Sequence, residues 1–503
     1  MKVPTTDISE QTGLSISLNL EDNLEYFKSK FAGCDDFIMD SWKYGLESGQ
    51  QAFYVYFGTL SNPKAKTEFK AMLQKIIHEE VPSKKDKNHF YENNLFSSPS
   101  SEMTESLDKA AQFVLEGKVV LFFHNMDKAL AYSAIDIEQR QASEPITEPS
   151  IQGPHVSMIE SLDRNIGVIR NLLKTSRLKF EFFIAGEESR RKVSFGYLEG
   201  AVEPDALAAF KKRIAGLEKE EIIDPSYLES WIGESRFSPF PQVRYTERPD
   251  TAVLSLLNGK IIIMVDGSPS VLICPVHFME FFTASDDYYF RPVYFSLIRI
   301  LRMTALVIAF ILPSTYIALS TFHSELIPTV LLLAILKTRE GIPFPALLEA
   351  FIMEFFFELL REAGIRLPRP IGTAVSIVGA LVIGQAAIQS QIASPVMVIV
   401  VALTGIASFA FPQYNMSITI RILRFPLMLL AATFGGLGIM VGLLLTYLHL
   451  STLRSLGQPY LATIAPFQWN KLLDAFVEVP GHLRANRPGN RQLRKSGEEG
   501  RQE

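Results

Sequence analysis

Between residues 303 and 450 the chain nearly loses its charges and becomes a succession of Leu, Ile, Val, Ala, Phe and Gly. A membrane-crossing helix needs about 20 apolar residues. Residues 303–322 (MTALVIAFILPSTYIALSTF), 371–392 (IGTAVSIVGALVIGQAAIQSQI) and 425–450 (FPLMLLAATFGGLGIMVGLLLTYLHL) meet that length, and 395–412 comes close. Residues 1–295 carry charges throughout and read as soluble protein. The expected fold class is therefore an α/β soluble N-terminal region followed by an all-α multi-pass transmembrane bundle.

The soluble region carries an internal echo. ESLDKAAQFVLEGKVVLFFHNMDKALAYSA from Glu105 and ERPDTAVLSLLNGKIIIMVDGSPSVLIC from Glu247 share E-x-x-D, an apolar helical stretch, Gly-Lys, a strand, a turn and a second strand. VYFGTLSNPKAKTEFKAML from Val55 and GYLEGAVEPDALAAFKKRI from Gly196 share a strand, a Pro-containing turn and an amphipathic helix. The offsets, about 141 and 142 residues, imply two duplicated small α/β domains. The expected plan is a loose tail (1–20), a first subdomain (21–138), a linker (139–154), a second subdomain (155–295), the membrane domain (296–450) and a basic tail (451–503). Residues 155–173 read as an amphipathic helix that packs in the core, joins the subdomains or meets another subunit. DGSP at 266–269 suits a tight turn, and Asp250 suits the start of a helix.

Within the membrane half, Pro313 should kink the first span, which lipid-embedded helices tolerate. Residues 326–336 are apolar but short. Residues 344–360 carry Glu349, Glu354 and Glu358, which would cost a few kcal/mol each facing lipid, so this segment reads as an interfacial or pore-side amphipathic helix. Basic residues mark a cytosolic side: Arg299 and Arg302; Lys337, Arg339, Arg361, Arg366 and Arg369; Arg421 and Arg424. That map requires 326–336 to return the chain to the cytosol, and it conflicts with the basic tail unless Gly435-Gly436-Leu437-Gly438 breaks the last segment into a re-entrant pair.

Other classes find no support. The net charge of -5 gives no reason to invoke nucleic acid. Cys34 and Cys274 are far apart, and the eight histidines are dispersed, so no metal spacing, disulfide framework or cofactor motif emerges. The polar start, MKVPTTDISE, has no apolar core of a signal peptide. No catalytic constellation is visible, and the chain is not expected to be an enzyme.

Several phrases are long enough to be specific: PSTYIALSTFHSELIPT (313–329), REGIPFP (339–345), ELLREAGIRLP (358–368), IGTAVSIVGALVIGQAAI (371–388), GQPYLATIAPF (457–467), RYTERPD (244–250), LLNGKIIIMVDGSP (256–269) and DDYYFRP (286–292). Together they resemble the A subunits of the GerA-family spore germinant receptors. A paralogous SpoVAF-like group shares much of the membrane signature, but the paired N-terminal units fit the receptor subunits better. The resemblance implies residence in the inner membrane of a bacterial endospore; the N-terminal region, without an export signal, is expected on the cytosolic side. The resemblance also implies a transporter-like B subunit that binds the nutrient, a lipoprotein C subunit, and assembly as a homo-pentameric, ligand-gated channel for monovalent cations. A lone secondary transporter and a non-conducting scaffold are the alternatives.

For conduction, residues 371–392 offer one face with Gly372, Ser376 and Gly379, where small residues let helices approach. The other face carries Val375, Val378, Val382, Gln385 and Gln389. In a ring of subunits it would stack apolar and amide rings, the first gating by dewetting and the second replacing part of an ion's hydration. Glu349, Glu354 and Glu358 would attract cations at a mouth; pairing with Arg361 is the local alternative. The basic tail 482–495 could rest on anionic lipid.

Overall fold

The computed structural model describes residues 14–44, 50–60, 101–133, 145, 148, 152–235 and 237–462, excluding the side chains of 42, 44, 50, 288, 369, 370 and 373–376. The first α/β unit holds α1 (Leu20–Lys30), β1 (Phe37–Tyr44), β2 (Gln50–Phe57), β3 (Ser101–Thr104), α2 (Leu107–Leu115), β4 (Lys118–Phe123) and β5 (Ala129–Ser133). The second holds α3 (Leu162–Leu172), β6 (Leu178–Ala185), β7 (Arg191–Leu198), α4 (Pro204–Ile214), α5 (Ser226–Ile232), β8 (Arg244–Thr246), α6 (Pro249–Leu257), β9 (Ile261–Val265) and β10 (Val271–Cys274). Their sheets have the same order, β1-β2-β4-β5-β3 and β6-β7-β9-β10-β8, with neighbouring strands antiparallel throughout. This is the duplication expected from the offsets. The first unit's counterpart of α4, near residues 65–73, lies outside the described residues.

The repeat extends to single hydrogen bonds. Asn23, in the first turn of α1, accepts from the Ser17 amide (2.9 Å) and donates to the Ser17 carbonyl (2.6 Å). Asn165 in α3 does the same with Ile159, at the same two distances. Each buried amide replaces a strand partner for the segment entering the helix, satisfying backbone groups that water cannot reach. Thr104 and Thr246 likewise accept from the amides of Ser106 and Arg248, ahead of α2 and α6. Gly117 and Gly259 both have φ above +70°, closing the turn from helix to strand. The expected turn after β9 is present, with Gly267 at φ 90°. Asp250 accepts from the Thr251 amide, but it is also held by Arg248. Residues 14–19 are not a loose tail: Ile16 is buried and its amide donates to the Glu105 carbonyl.

The two units meet through β6, where the Asp35 amide donates to the Phe180 carbonyl and its side chain accepts from the Phe182 amide, and through α3. Its Ile166 and Ile169 fill the second unit's core, while Arg170 reaches into the first. Arg170 Nε and Nη2 lie 2.5 and 2.6 Å from the two oxygens of Asp36, with both side chains at 2% exposure or less. The guanidinium also stacks 4.0 Å from the Phe57 ring centroid and donates to the Leu178 carbonyl. The helical segment thus does two of the things its pattern allowed.

Beyond β10 the chain enters a helical bundle: α7 (Pro292–Thr321), α8 (Thr329–Arg339), α9 (Ala346–Arg366), α10 (Arg369–Gln389), α11 (Pro395–Ser408) and α12 (Tyr414–Thr452). Helices α7 and α12 are long and apolar enough to cross a membrane. Many of the bundle's outward side chains are large and apolar, including Ile377, Leu437 and Met440, as a lipid-facing surface requires.

Contacts fix the direction of each helix relative to the α/β units. Helix α7 starts beside them, where Arg302 pairs with Asp287 (2.5 and 3.0 Å), and ends at the distal side. There Tyr316 approaches Ser394 (3.5 Å), which donates from its amide and hydroxyl to Glu349 (2.6 and 2.5 Å). Helix α9 therefore begins distally, and it ends proximally, where Arg361 donates to Ser408 (3.0 Å). Helix α10 leaves again, and α11 returns from Ser394 to Ser408.

Helix α12 is a hairpin. At Gly435 the backbone takes φ 62°, ψ -136°. Residues 423–430 then face 442–449 across a shared groove. His323, just past α7, accepts from the Gly436 amide at the distal tip (3.1 Å). The returning leg brings His449 to Ser238 of the second α/β unit (2.8 Å). The chain then forms a small hairpin (Arg454–Ser455 with Gln458–Pro459) against that unit. Leu456 joins the unit's core, and Tyr460 donates to the Pro241 carbonyl (2.7 Å). The break at Gly435 thus resolves the conflict over the tail: residues 454–462 lie on the same side as the α/β units. The rest of the basic tail lies outside the described residues.

Two expectations are corrected. Segment 326–336 does not return the chain to the proximal side, because Arg339 at the end of α8 lies 3.8 Å from Glu349 in the distal region. Helix α9, read from sequence as interfacial or pore-side, makes the return itself, with Glu349 and Glu354 buried and Glu358 half exposed. The basic residues mislead as side markers at α8, where Arg339 lies against a buried carboxylate at the distal side.

Both cysteines are buried. Burial pushes the Cys274 thiol up to about 12 and raises that of Cys34 despite nearby Arg170 and Lys179. Only the thiolate reacts readily. Native protein at neutral pH should therefore resist iodoacetamide at both positions, as read by peptide mass spectrometry, and label at both once denatured.

Candidate functional site

The bundle's most unusual chemistry is a charged clasp on α9. Glu354 and Glu358 lie four residues apart and so share a face. Glu354 Oε2 is 3.0 Å from Arg424 Nη2, with both side chains at 5% exposure or less. Glu358 binds Arg421 (2.5 Å) on one oxygen and Arg361 (3.3 Å) on the other. Arg361 continues to Ser408 on α11. One turn from the start of α9, fully buried Glu349 holds the Ser394 cap of α11, whose hydroxyl accepts from the Met397 amide (3.2 Å). The three carboxylates named from sequence are thus drawn into pairs within the chain, and the local partner Arg361 takes only part of one. Their main partners, Arg421 and Arg424, stand three apart on the first leg of α12. Their Arg-x-x-Arg spacing beside an acidic i, i+4 pair is the signal from which the clasp was legible.

The clasp is incompletely satisfied. Glu354 Oε1 and Arg424 Nε and Nη1 are buried without a hydrogen-bond partner. Buried polar groups are usually paired, since an orphan costs about 1–3 kcal/mol.

Helix α10 lies on the other side of α9. The close approach of the pair depends on glycine: a Cβ at Gly372 would strike the Gly364 carbonyl, and one at Gly379 the Leu360 side chain. Gly384 and Ala387 meet the start of α11. The opposite surface, with Val378, Val382, Gln385 and Gln389, is exposed, as are Ile377 and Leu381. The side chains of Val375 and Ser376 lie outside the described residues.

A third set of contacts ties the clasp to the α/β units. Gln413, the residue ahead of α12, donates to Glu148 (2.5 Å), which also accepts from Thr246 of β8 (2.6 Å). Thr419 on α12 donates to the Pro239 carbonyl (2.5 Å). Among the described residues no cluster of three or more His, Cys, Asp or Glu has the geometry of a metal site.

The family model for the Bacillus/Clostridium GerA spore germination protein matches residues 25–490. The chain belongs to the GerA family. This GerA-family chain is 40% identical to an uncharacterized membrane protein, YfkQ, of Bacillus subtilis (strain 168), over 96% of this chain and 93% of that one. It is 37% identical to spore germination protein KA of the same organism, over 94% and 87%, and 35% identical to its spore germination protein A1, over 92% and 94%. The N-terminal domain of the A subunit of the Bacillus megaterium spore germinant receptor GerK3, known as a crystal structure, aligns with a TM-score of 0.40 and 22% identity, covering 53% of this chain and 99% of that one. Two of the phrases that carried the family resemblance touch the site: REGIPFP begins at Arg339, and ELLREAGIRLP contains Glu358 and Arg361.

Proposed function

We propose that this chain is the A subunit of a nutrient germinant receptor, embedded in the spore inner membrane with its α/β units on the cytosolic side. In this reading it assembles with copies of itself, as a pentamer, into a gated channel for monovalent cations, beside a transporter-like B subunit and a lipoprotein C subunit. Family membership supports the germination role. One observation carries the channel reading: α10 is held by one face and leaves a continuous Val-Val-Gln-Gln stripe uncovered. A polar-ended apolar stripe is poorly suited to lipid, whereas in a ring it gives a dewetting constriction followed by amide ligands.

The test is potassium flux from liposomes holding the full chain with and without its B and C subunits, with cross-linking to count copies. Gated flux from an oligomer supports the reading; a monomer without flux in both preparations overturns it. Val382→Ser should wet the constriction and raise resting potassium leak about tenfold, equivalent to about 1.4 kcal/mol off the barrier.

A further inference from the structure

We infer that the Glu354–Arg424 and Glu358–Arg421 pairs form a positioning clasp through which the second α/β unit sets the placement of α10. The inference deepens the channel reading and rests on it for its consequence, but its structural core can be tested without flux.

Three observations carry it. First, α10 has few supports apart from α9, so a movement of α9 carries α10 with it. Second, α9 is bound to the first leg of α12 by charges rather than by packing alone. Ionisable groups inside an apolar bundle are expensive, and a fully packed apolar contact would serve cohesion as well or better. Charged groups instead make the contact specific in register: Glu354 meets Arg424 and Glu358 meets Arg421, antiparallel and one turn apart. Third, that same leg of α12 is anchored at its start to the second α/β unit, through Gln413–Glu148–Thr246 and Thr419–Pro239. A displacement of the unit therefore pulls on the helix that holds α9.

The unpartnered atoms give the clasp its capacity to change. Glu354 Oε1 and two nitrogens of Arg424 lack partners in this arrangement. The pair is consequently less favourable than a fully bonded one, and an arrangement that satisfies those atoms competes with it. A tightly bonded salt bridge would act as a fixed strut.

This role differs from a carboxylate ring at a channel mouth. A ring needs Glu354 and Glu358 unpaired and facing ions, and Arg424 would be irrelevant to it or harmful. A clasp makes Glu354 and Arg424 equivalent, so that each substitution has the same effect and exchange of the two charges restores function.

The test uses the full-length protein with its receptor partners, carrying one introduced cysteine at Val382. The buried native thiols leave that position as the reactive one. A charged methanethiosulfonate reagent then reports the exposure of α10. Glu354→Gln and Arg424→Gln should each change the labelling rate in the same direction by about threefold or more, the range expected for coupled residues. Glu354→Arg combined with Arg424→Glu should bring it back to within about twofold of the parent. Thermal unfolding of each variant identifies the folded fraction, and rates are compared on that fraction. If the pair is merely structural, unfolding temperatures fall while the labelling rate of folded protein stays at the parent value, and the inference is overturned. It is also overturned if Glu354→Gln changes the rate while Arg424→Gln does not, or if the exchange fails to restore it. Potassium flux in the same variants separates the two proposals. Absence of flux in the parent defeats the channel reading, whereas parental flux with no labelling change defeats the clasp.

Discussion

Replacing Arg170 with alanine should destabilise the α/β region by about 3–5 kcal/mol, seen as loss of its unfolding transition at lower denaturant in the full-length protein. The magnitude follows from burial. Asp36 and Arg170 are each almost wholly enclosed, and removal of the guanidinium strands a carboxylate whose remaining side-chain partner is the Thr59 hydroxyl (2.9 Å). The Phe57 ring also loses its stacked cation. Asp36→Ala should cost a similar amount, and the double substitution less than the sum of the two, because no charge is then left unpaired. Arg170→Lys should not rescue, since an ammonium cannot make the two parallel bonds. Lys28 occupies the position equivalent to Arg170 in the first unit and is exposed. Lys28→Ala should change stability by no more than about 0.5 kcal/mol. Equal losses at Lys28 and Arg170 would defeat the argument that the inter-unit contact is unique to one copy.

This asymmetry shows why the duplication was legible and the joint between its copies was not. Repeated E-x-x-D, Gly-Lys and strand patterns survive because both copies need the same helix starts, the same positive-φ turns and the same sheet order. The Asn23 and Asn165 latches fall at the same 142-residue offset and were available to the same comparison. The Asp36–Arg170 pair joins unlike positions, so no comparison of the copies with each other exposes it. Its signal is limited to an arginine on an otherwise amphipathic helix, which most often means a solvated face.

In the bundle, apolar length identified the long helices, and the acidic i, i+4 pair was noticed. Basic residues mislead about the direction of travel at α8, because they do not all face water. Arg339, Arg421 and Arg424 neutralise carboxylates from other helices, and sequence separation hides such pairs: 63 residues divide Glu358 from Arg421. The exposed face of α10 was legible as a stripe of Val and Gln.

The reversal at Gly435 makes the second strong prediction. Its φ of 62° with ψ -136° is a conformation that residues with a Cβ almost never adopt, at a cost of about 1–3 kcal/mol. A Cβ there would also press on Phe322 and His323. Three residues on, a Cβ at Gly438 would run into the Leu430 carbonyl of the facing leg, where backbone cannot yield as a side chain can. At Gly442 the obstacle is the flexible end of Leu427. The expected order of damage is therefore Gly438→Ala and Gly435→Ala, each about 1–3 kcal/mol, then Gly442→Ala, which repacking of Leu427 should soften. The consequence reaches the proximal side. If the legs splay, His449 leaves Ser238, and Leu456 and Tyr460 leave the second α/β unit. Protease cleavage near residues 453–462 should accelerate in Gly438→Ala and Gly435→Ala relative to the parent, with Gly442→Ala between. Unchanged cleavage in all three, with helix content intact, would mean that the two legs do not depend on this turn for their antiparallel packing.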